Sequence, residues 1–222
     1  MPDLPAFAAS LAFALLAAVM LWFAFGTQRN IRRGNDLLRW LQDGLPLLGE
    51  RTTLRWLGSS VVELHITEPE PPFRDAQLLI VLEPRDLGAL WALAHRRGRR
   101  DFLIVRARLA RAPRFRVDLA DPLSWTMGDV RHRWADEEAG VAWSGTWGGI
   151  MFEARHDPAV PIEELREWWE RLAGVSGGVW RISVSPIVPQ LELHLLPPPD
   201  GVSSRRLVEA VRDVARRVAP SE

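Results

Sequence analysis

The sequence predicts an α+β protein, with a single N-terminal transmembrane helix followed by a cytosolic body of two β-α-β-β units. Three observations carry that reading. Leu4 to Gly26 (LPAFAASLAFALLAAVMLWFAFG) contains no charged residue. Runs of alternating apolar residues recur through the rest of the chain, interrupted by segments of helical periodicity. The order strand, helix, strand, strand occurs twice, offset by about 70 residues.

A helix over Leu4 to Gly26 rises about 35 Å at about 1.5 Å per residue, which spans a hydrocarbon core of roughly 30 Å. Asp3 precedes the run and Arg29, Arg32 and Arg33 follow it, so the positive-inside rule puts the amino terminus outside and the chain from Thr27 onward in the cytosol. Trp22, Phe23 and Phe25 fall at the cytosolic interface. The competing reading is a cleaved signal peptide, because Ala24-Phe25-Gly26 has the small-x-small pattern. A signal has a basic first region and an apolar core of roughly 7–15 residues. This segment lacks the first and exceeds the second.

The span (4–26) is followed by a juxtamembrane amphipathic helix (27–50), where Leu37, Leu38, Leu41, Leu45 and Leu48 recur at helical spacing beside Trp40. The first α+β unit (51–120) opens with strands at Thr53–Leu57 and Ser60–Ile66 around a Gly58-Ser59 turn. Gln77–Leu82 is a further strand, Pro84 opens a helix through Arg97, and Asp101–Leu109 and Arg114–Leu119 form two strands joined by a short turn. A connector (121–149) carries Trp125, Trp134, Trp143 and Trp147, and its period-two stretch Val141–Trp147 reads as a strand. The second unit (150–222) has a strand at Ile150–Arg155, a helix at Ile162–Ala173 entered through Pro161 and stopped by Gly174, and strands at Val179–Ser185 and Gln190–Leu196. Ser203–Val218 ends the chain as a basic amphipathic helix.

Composition narrows the chemistry. There is no cysteine, so disulfides and thiolate metal sites are excluded. The net charge is zero and all 28 basic residues are arginine, a bias that weakens any argument from arginine abundance alone. Their distribution is uneven, with nine arginines and one acid between His95 and Arg116. Arg106 and Arg108 share one strand face, Arg114 and Arg116 alternate on the next strand, and Arg96, Arg97, Arg99 and Arg100 cluster at one end. A hairpin of the two strands is thus expected to present a basic face. Guanidinium groups bind phosphate in pairs of hydrogen bonds, so the face suits RNA phosphates or anionic lipid. The alternative is a solvated face, with Arg96 and Arg97 complementing a helix C-terminus. Arg205, Arg206, Arg216 and Arg217 on the terminal helix form a second basic candidate.

Other motifs carry less. Eleven tryptophans are many; an outward face at the adjacent Trp168 or Trp169 would mark a contact residue, while core packing is the simpler reading of each. Gly174-Val175-Ser176-Gly177-Gly178 matches G-x-S-x-G, but a nucleophile elbow needs strand, serine, helix. Here the order is reversed and the glycines read as a helix stop. The five histidines have no ligand spacing, and no phosphate-binding or dinucleotide fingerprint occurs. The expectation is a non-enzymatic protein with no cofactor and no metal.

The order of features resembles the calumin family, single-span endoplasmic-reticulum membrane proteins of the multipass translocon. The resemblance rests on a span ending in Gly26-Thr27-Gln28-Arg29-Asn30, an amphipathic helix with Trp40, a strand (Leu78–Leu82) leading into Pro84-Arg85-Asp86-Leu87 and a helix, and the extended segment Asp101–Leu109. It covers roughly Leu16 to Leu119. It implies a cytosolic α/β body that accompanies the Sec translocon and ribosome during insertion of multi-spanning proteins. The family's acidic lumenal region has no counterpart here, so calcium binding is not implied. Its long basic coiled coil is replaced by Ser203–Val218. The expected function is therefore a membrane-anchored binding or scaffold protein, at a translocon or ribosome, or as a regulator or assembly factor contacting anionic lipid or protein.

Overall fold

A computed structural model describes residues 4–136, 140–199 and 201–219; residues 137–139 of the tryptophan-rich connector and the last residues of the second unit lie outside them. The first element, α1 (Leu4–Leu41), is one unbroken 38-residue helix. The span and the juxtamembrane helix are thus a single rod, where the sequence suggested two elements. One stretch of it, Phe7–Leu41, is long and apolar enough to cross a membrane, and its most apolar window is wholly unburied. A short 3-10 turn (Leu45–Leu47) with Pro46 in its first turn redirects the chain into the sheet.

Among the described residues, nine strands form one antiparallel sheet: β1 (Gly49–Leu57), β2 (Val61–Pro69), β3 (Phe73–Val81), β4 (Phe102–Leu109), β5 (Val117–Ala120), β6 (Val141–Trp147), β7 (Ile150–His156), β8 (Gly178–Val184) and β9 (Leu191–Leu196). Their order is β1-β2-β3-β4-β9-β8-β5-β7-β6. The repeated strand-helix-strand-strand order exists along the chain, but the sheet does not divide clearly into two such units, because β5 is inserted between β7 and β8.

The same insertion overturns the arginine hairpin. β4 pairs with β3 and β9, so both its edges are taken, and β9 and β8 separate it from β5. Arg114 and Arg116 therefore do not extend the face of Arg106 and Arg108. A short turn between two alternating runs reads locally as a hairpin, whereas the partner of each strand is set by distant residues. The connection is longer than a turn, and its Phe115 stacks on Trp168 at 6.2 Å between centroids.

Alternation decides which face is covered. Val62, Leu64 and Ile66 of β2, Leu103 and Val105 of β4, and Leu191, Leu193 and Leu195 of β9 are all buried on one side. Against that side pack α4 (Ile162–Ala173), α5 (Ser204–Val218) and the end of α1 through Leu37 and Leu41. Arg171 to Asp213 at 2.7 Å and Arg217 to Glu167 at 3.0 Å join α4 to α5. Trp168 and Trp169 are both buried, so the core-packing reading holds for both and neither is an outward contact residue. Trp169 is covered by Trp147 and Phe152, delivered by the β6–β7 hairpin. On the opposite face α3 (Met127–Asp136) rests Met127 and Val130 on Ala120. The remaining helix, α2 (Gly88–Arg96), links β3 to β4 and lies beside α1.

Candidate functional site

The N-terminal helix α1 and the body meet in a compact polar knot. Asn30, fully buried on α1, donates through Nδ2 to the Glu83 carbonyl (3.0 Å) and to Ser60 Oγ (3.1 Å). Its Oδ1 accepts from Arg85 Nη1 at 3.2 Å. Asp101 sits at the centre. Its Oδ1 accepts from the Glu83 backbone N–H (2.9 Å) and Arg85 Nη1 (2.9 Å), and its Oδ2 from Arg85 Nη2 (3.0 Å) and Arg33 Nε (3.3 Å). Asp101 and Arg85 are nearly buried, with side chains 9% and 14% exposed, so the bidentate pair acts in a low-dielectric setting. Above the knot, Trp22 donates its indole N–H to the Arg85 carbonyl at 3.1 Å.

Close approach explains two glycines in the middle of α1. A Cβ at Gly26 would stand 2.1 Å from the Arg85 carbonyl oxygen, and one at Gly34 would stand 2.5 Å from the Trp56 ring. Only glycine lets the helix lie this near the body. Gly26 and Asn30 were read from sequence only as the end of the apolar run, and Gly34 was not singled out. The spacing of four residues down one face of α1 is the signal that could have found them.

The arginines predicted at the end of α2 are brought together. Arg96 and Arg97 are exposed. Arg100 donates to the carbonyls of His95 (2.8 Å) and Arg99 (2.7 Å). Arg99 is half-buried, with its guanidinium 5.4 Å over the Trp125 ring. Burial lowers the pKa of Arg99 from its ordinary value, against the opposing fields of Glu83 and Asp101. His95 Nδ1 lies 3.0 Å from Glu83 Oε2, and the same carboxylate oxygen accepts the Trp91 indole N–H at 2.5 Å.

Arg106 and Arg108 lie apart from that group, four and six residues along β4 from Phe102, or about 13–20 Å at the usual rise per strand residue. Arg106 donates to Glu192 Oε2 at 2.9 Å, and Arg108 is exposed opposite Asp75. Arg205, Arg206, Arg216 and Arg217 are exposed on α5, in the layer against the other sheet face. Arg205 pairs with Glu209 (3.3 Å), Arg216 with Asp213 (3.8 Å) and Arg217 with Glu167 (3.0 Å).

A second polar constellation is visible only in three dimensions. The registers align Gln77, Arg106, Glu192, Ser183, Asp118 and Arg155 in one row across six strands. Beside the row, buried Arg181 bridges Asp118 (2.9 Å) and Glu192 (3.1 Å), and His194 Nε2 lies 3.0 Å from Glu192 Oε1. Burial opposes the Glu192 charge, but the His194 hydrogen bond and the charges of His194, Arg181 and Arg106 outweigh it and leave the pKa at about 2. Asp118 goes the other way: burial raises its pKa despite Arg181 and Trp134. The row ends at a cleft of about 190 Å³ bordered by Arg116, Arg133, Trp134 and His156. At the G-x-S-x-G segment, Ser176 Oγ bonds the carbonyl of Gly178 at 3.2 Å, between α4 and β8.

The sequence matches no protein-family model and no curated protein. The functional reading therefore rests on the residues themselves.

Proposed function

We propose that this protein is a non-enzymatic, single-pass membrane scaffold that holds a cytosolic binding body rigidly against the bilayer surface. Its amino terminus is outside, because Arg29, Arg32 and Arg33 follow the span. The observation that carries the proposal is the unbroken α1, fixed to the body by Asn30, Arg33, Arg85 and Asp101. A flexible tether would let the body explore the cytosol; a rod with a buried polar joint gives it one height and one orientation. That arrangement suits recognition of something else at the membrane.

The partner in this reading is anionic and meets the arginines at the end of α2. If the calumin resemblance holds, it is ribosomal RNA phosphate beside a Sec translocon, and the protein assists insertion of multi-spanning proteins. The test is co-sedimentation of the detergent-solubilised full chain with ribosomes at low and high salt, alongside a variant with Arg96, Arg97 and Arg100 changed to Gln. Salt-sensitive binding lost in the variant supports the ribosome. No binding at low salt removes it and leaves the second reading, a membrane-surface regulator or assembly factor contacting anionic headgroups. The position of α2 beside the apolar part of α1 favours that second reading.

A further inference from the structure

The exposed side of α2 has an unusual composition for a helix facing water. Leu87, at its N-terminal boundary, is 51% exposed, Leu90 is 50% and Leu93 is 46%, and Ala89 and Ala92 lie exposed among them. Its other side is no apolar stripe on the core: Ala94 alone is buried, and Trp91 and the half-exposed His95 bond the Glu83 carboxylate. The helix is thus inverted relative to a soluble surface helix, which keeps its apolar stripe on the core.

Its neighbour explains the inversion. A Cβ at Gly88 would stand 2.6 Å from the Trp22 indole, so α2 begins in contact with the span. Leu87 and Leu90 share an open groove of about 630 Å³ with Leu15, Val19, Trp22 and Phe23. Trp22 lies four residues inside the apolar end at Gly26, a depth of about 6 Å along the helix. An interfacial helix buries its apolar face roughly 5–10 Å into the boundary between headgroups and acyl chains. The two depths agree.

The same surface continues past α2. The Leu123 carbonyl is 3.7 Å from where a Cβ on Gly98 would stand, and Trp125 lies under Arg99. Leu123 is 81% exposed and Trp125 39%. Arg96, Arg97 and Arg100 are exposed and flank Gly98 in the chain, a position suited to guanidinium contacts with lipid phosphates.

We propose that α2 and the loop carrying Leu123 and Trp125 form a second membrane contact, with Leu87, Leu90, Leu93 and Leu123 in the cytosolic lipid interface and Arg96, Arg97 and Arg100 on anionic headgroups. This rests on the reading that α1 crosses the bilayer. With the span it gives the body two membrane contacts and fixes how it is turned.

The chain has no cysteine, so single spin labels are specific. The full chain is placed in nanodiscs of phosphatidylcholine with phosphatidylglycerol, with cysteine at Leu90, Leu123, Phe13 or Ile187 in turn. Phe13 is exposed in the middle of the span and Ile187 is 65% exposed on the β8–β9 loop. Accessibility to oxygen and to a water-soluble nickel chelate is read at each site. The expected result is lipid-like accessibility at Phe13, interfacial depth at Leu90 and Leu123, and water-like accessibility at Ile187. Leu90 and Leu123 as water-exposed as Ile187, with Phe13 still lipid-exposed, overturns the second contact and leaves the span intact. Water-like accessibility at Phe13 overturns the span itself. Leu90 and Leu123 shielded from both reagents means that protein covers the surface, which also overturns the proposal.

Discussion

Replacing Asp101 by alanine should loosen the joint between α1 and the body more than any other single change at the knot. Four hydrogen bonds end on that carboxylate, two from Arg85, one from Arg33 and one from the Glu83 backbone N–H. Arg33 is nearly half exposed, so water takes over its contact at little cost. The other three are different. An unsatisfied buried backbone N–H costs about 1–3 kcal/mol, and a nearly buried guanidinium stripped of its partner raises the loss to about 3–5 kcal/mol in all. Glu83 Oε1, 3.6 Å from Arg85, is too distant to replace a bidentate pair. The assay is urea unfolding of the full chain in detergent, followed by tryptophan emission, with hydrogen exchange reading residues 30–41 of α1. Because much of the penalty is an orphaned charge, changing Arg85 to Met in the same chain should restore about half of the lost stability. A single variant within about 1 kcal/mol of the parent, or a double variant no better than the single one, refutes this reasoning.

Acid should weaken the sheet through Glu192. Its folded pKa of about 2 is below the ordinary 4.5, so the stabilisation is present above about 4.5 and is lost as pH falls toward 2. The loss is about 3 kcal/mol, and Glu192→Gln should flatten stability over that range in pH-dependent unfolding. Asp118 opposes this trend, since its raised folded pKa favours the folded state at the acid end. Gly26→Ala should lower the melting temperature and raise exchange in α1, whereas Gly128→Ala in α3, where a Cβ meets nothing within 4 Å, should leave both unchanged or slightly improved. Trp168→Ala, at a fully buried position, should cost about 3–5 kcal/mol in the same urea assay.

The sequence showed its elements better than their arrangement. Helix α4 was read with its observed bounds, because Pro161, an acidic first turn and Gly174 punctuate it locally. Strands β2, β4, β8 and β9 were legible as short apolar or alternating runs bounded by turn residues, although β4, β8 and β9 bury residues on both faces. The position of β5 was not legible: four residues between β7 and β8 carry no local record of their neighbours. Helix α3 was missed because Arg131, His132 and Arg133 interrupt its apolar pattern. The arginines at the end of α2 were found as a cluster, while Asn30 and Asp101 were not, because a polar residue met singly in a sequence does not reveal that it will be buried. The row from Gln77 to Arg155 takes one residue from each of six strands, a pattern that no window along the chain contains.

The central claim is one span with the body on the cytosolic side. Single cysteines at Pro5, Glu50 and Ile187, all exposed positions, would be treated with a membrane-impermeant maleimide in intact and in permeabilised cells. The account predicts labelling of Pro5→Cys in intact cells, and labelling of Glu50→Cys and Ile187→Cys only after permeabilisation. Labelling of the two body positions in intact cells would contradict it, because the body would then lie outside.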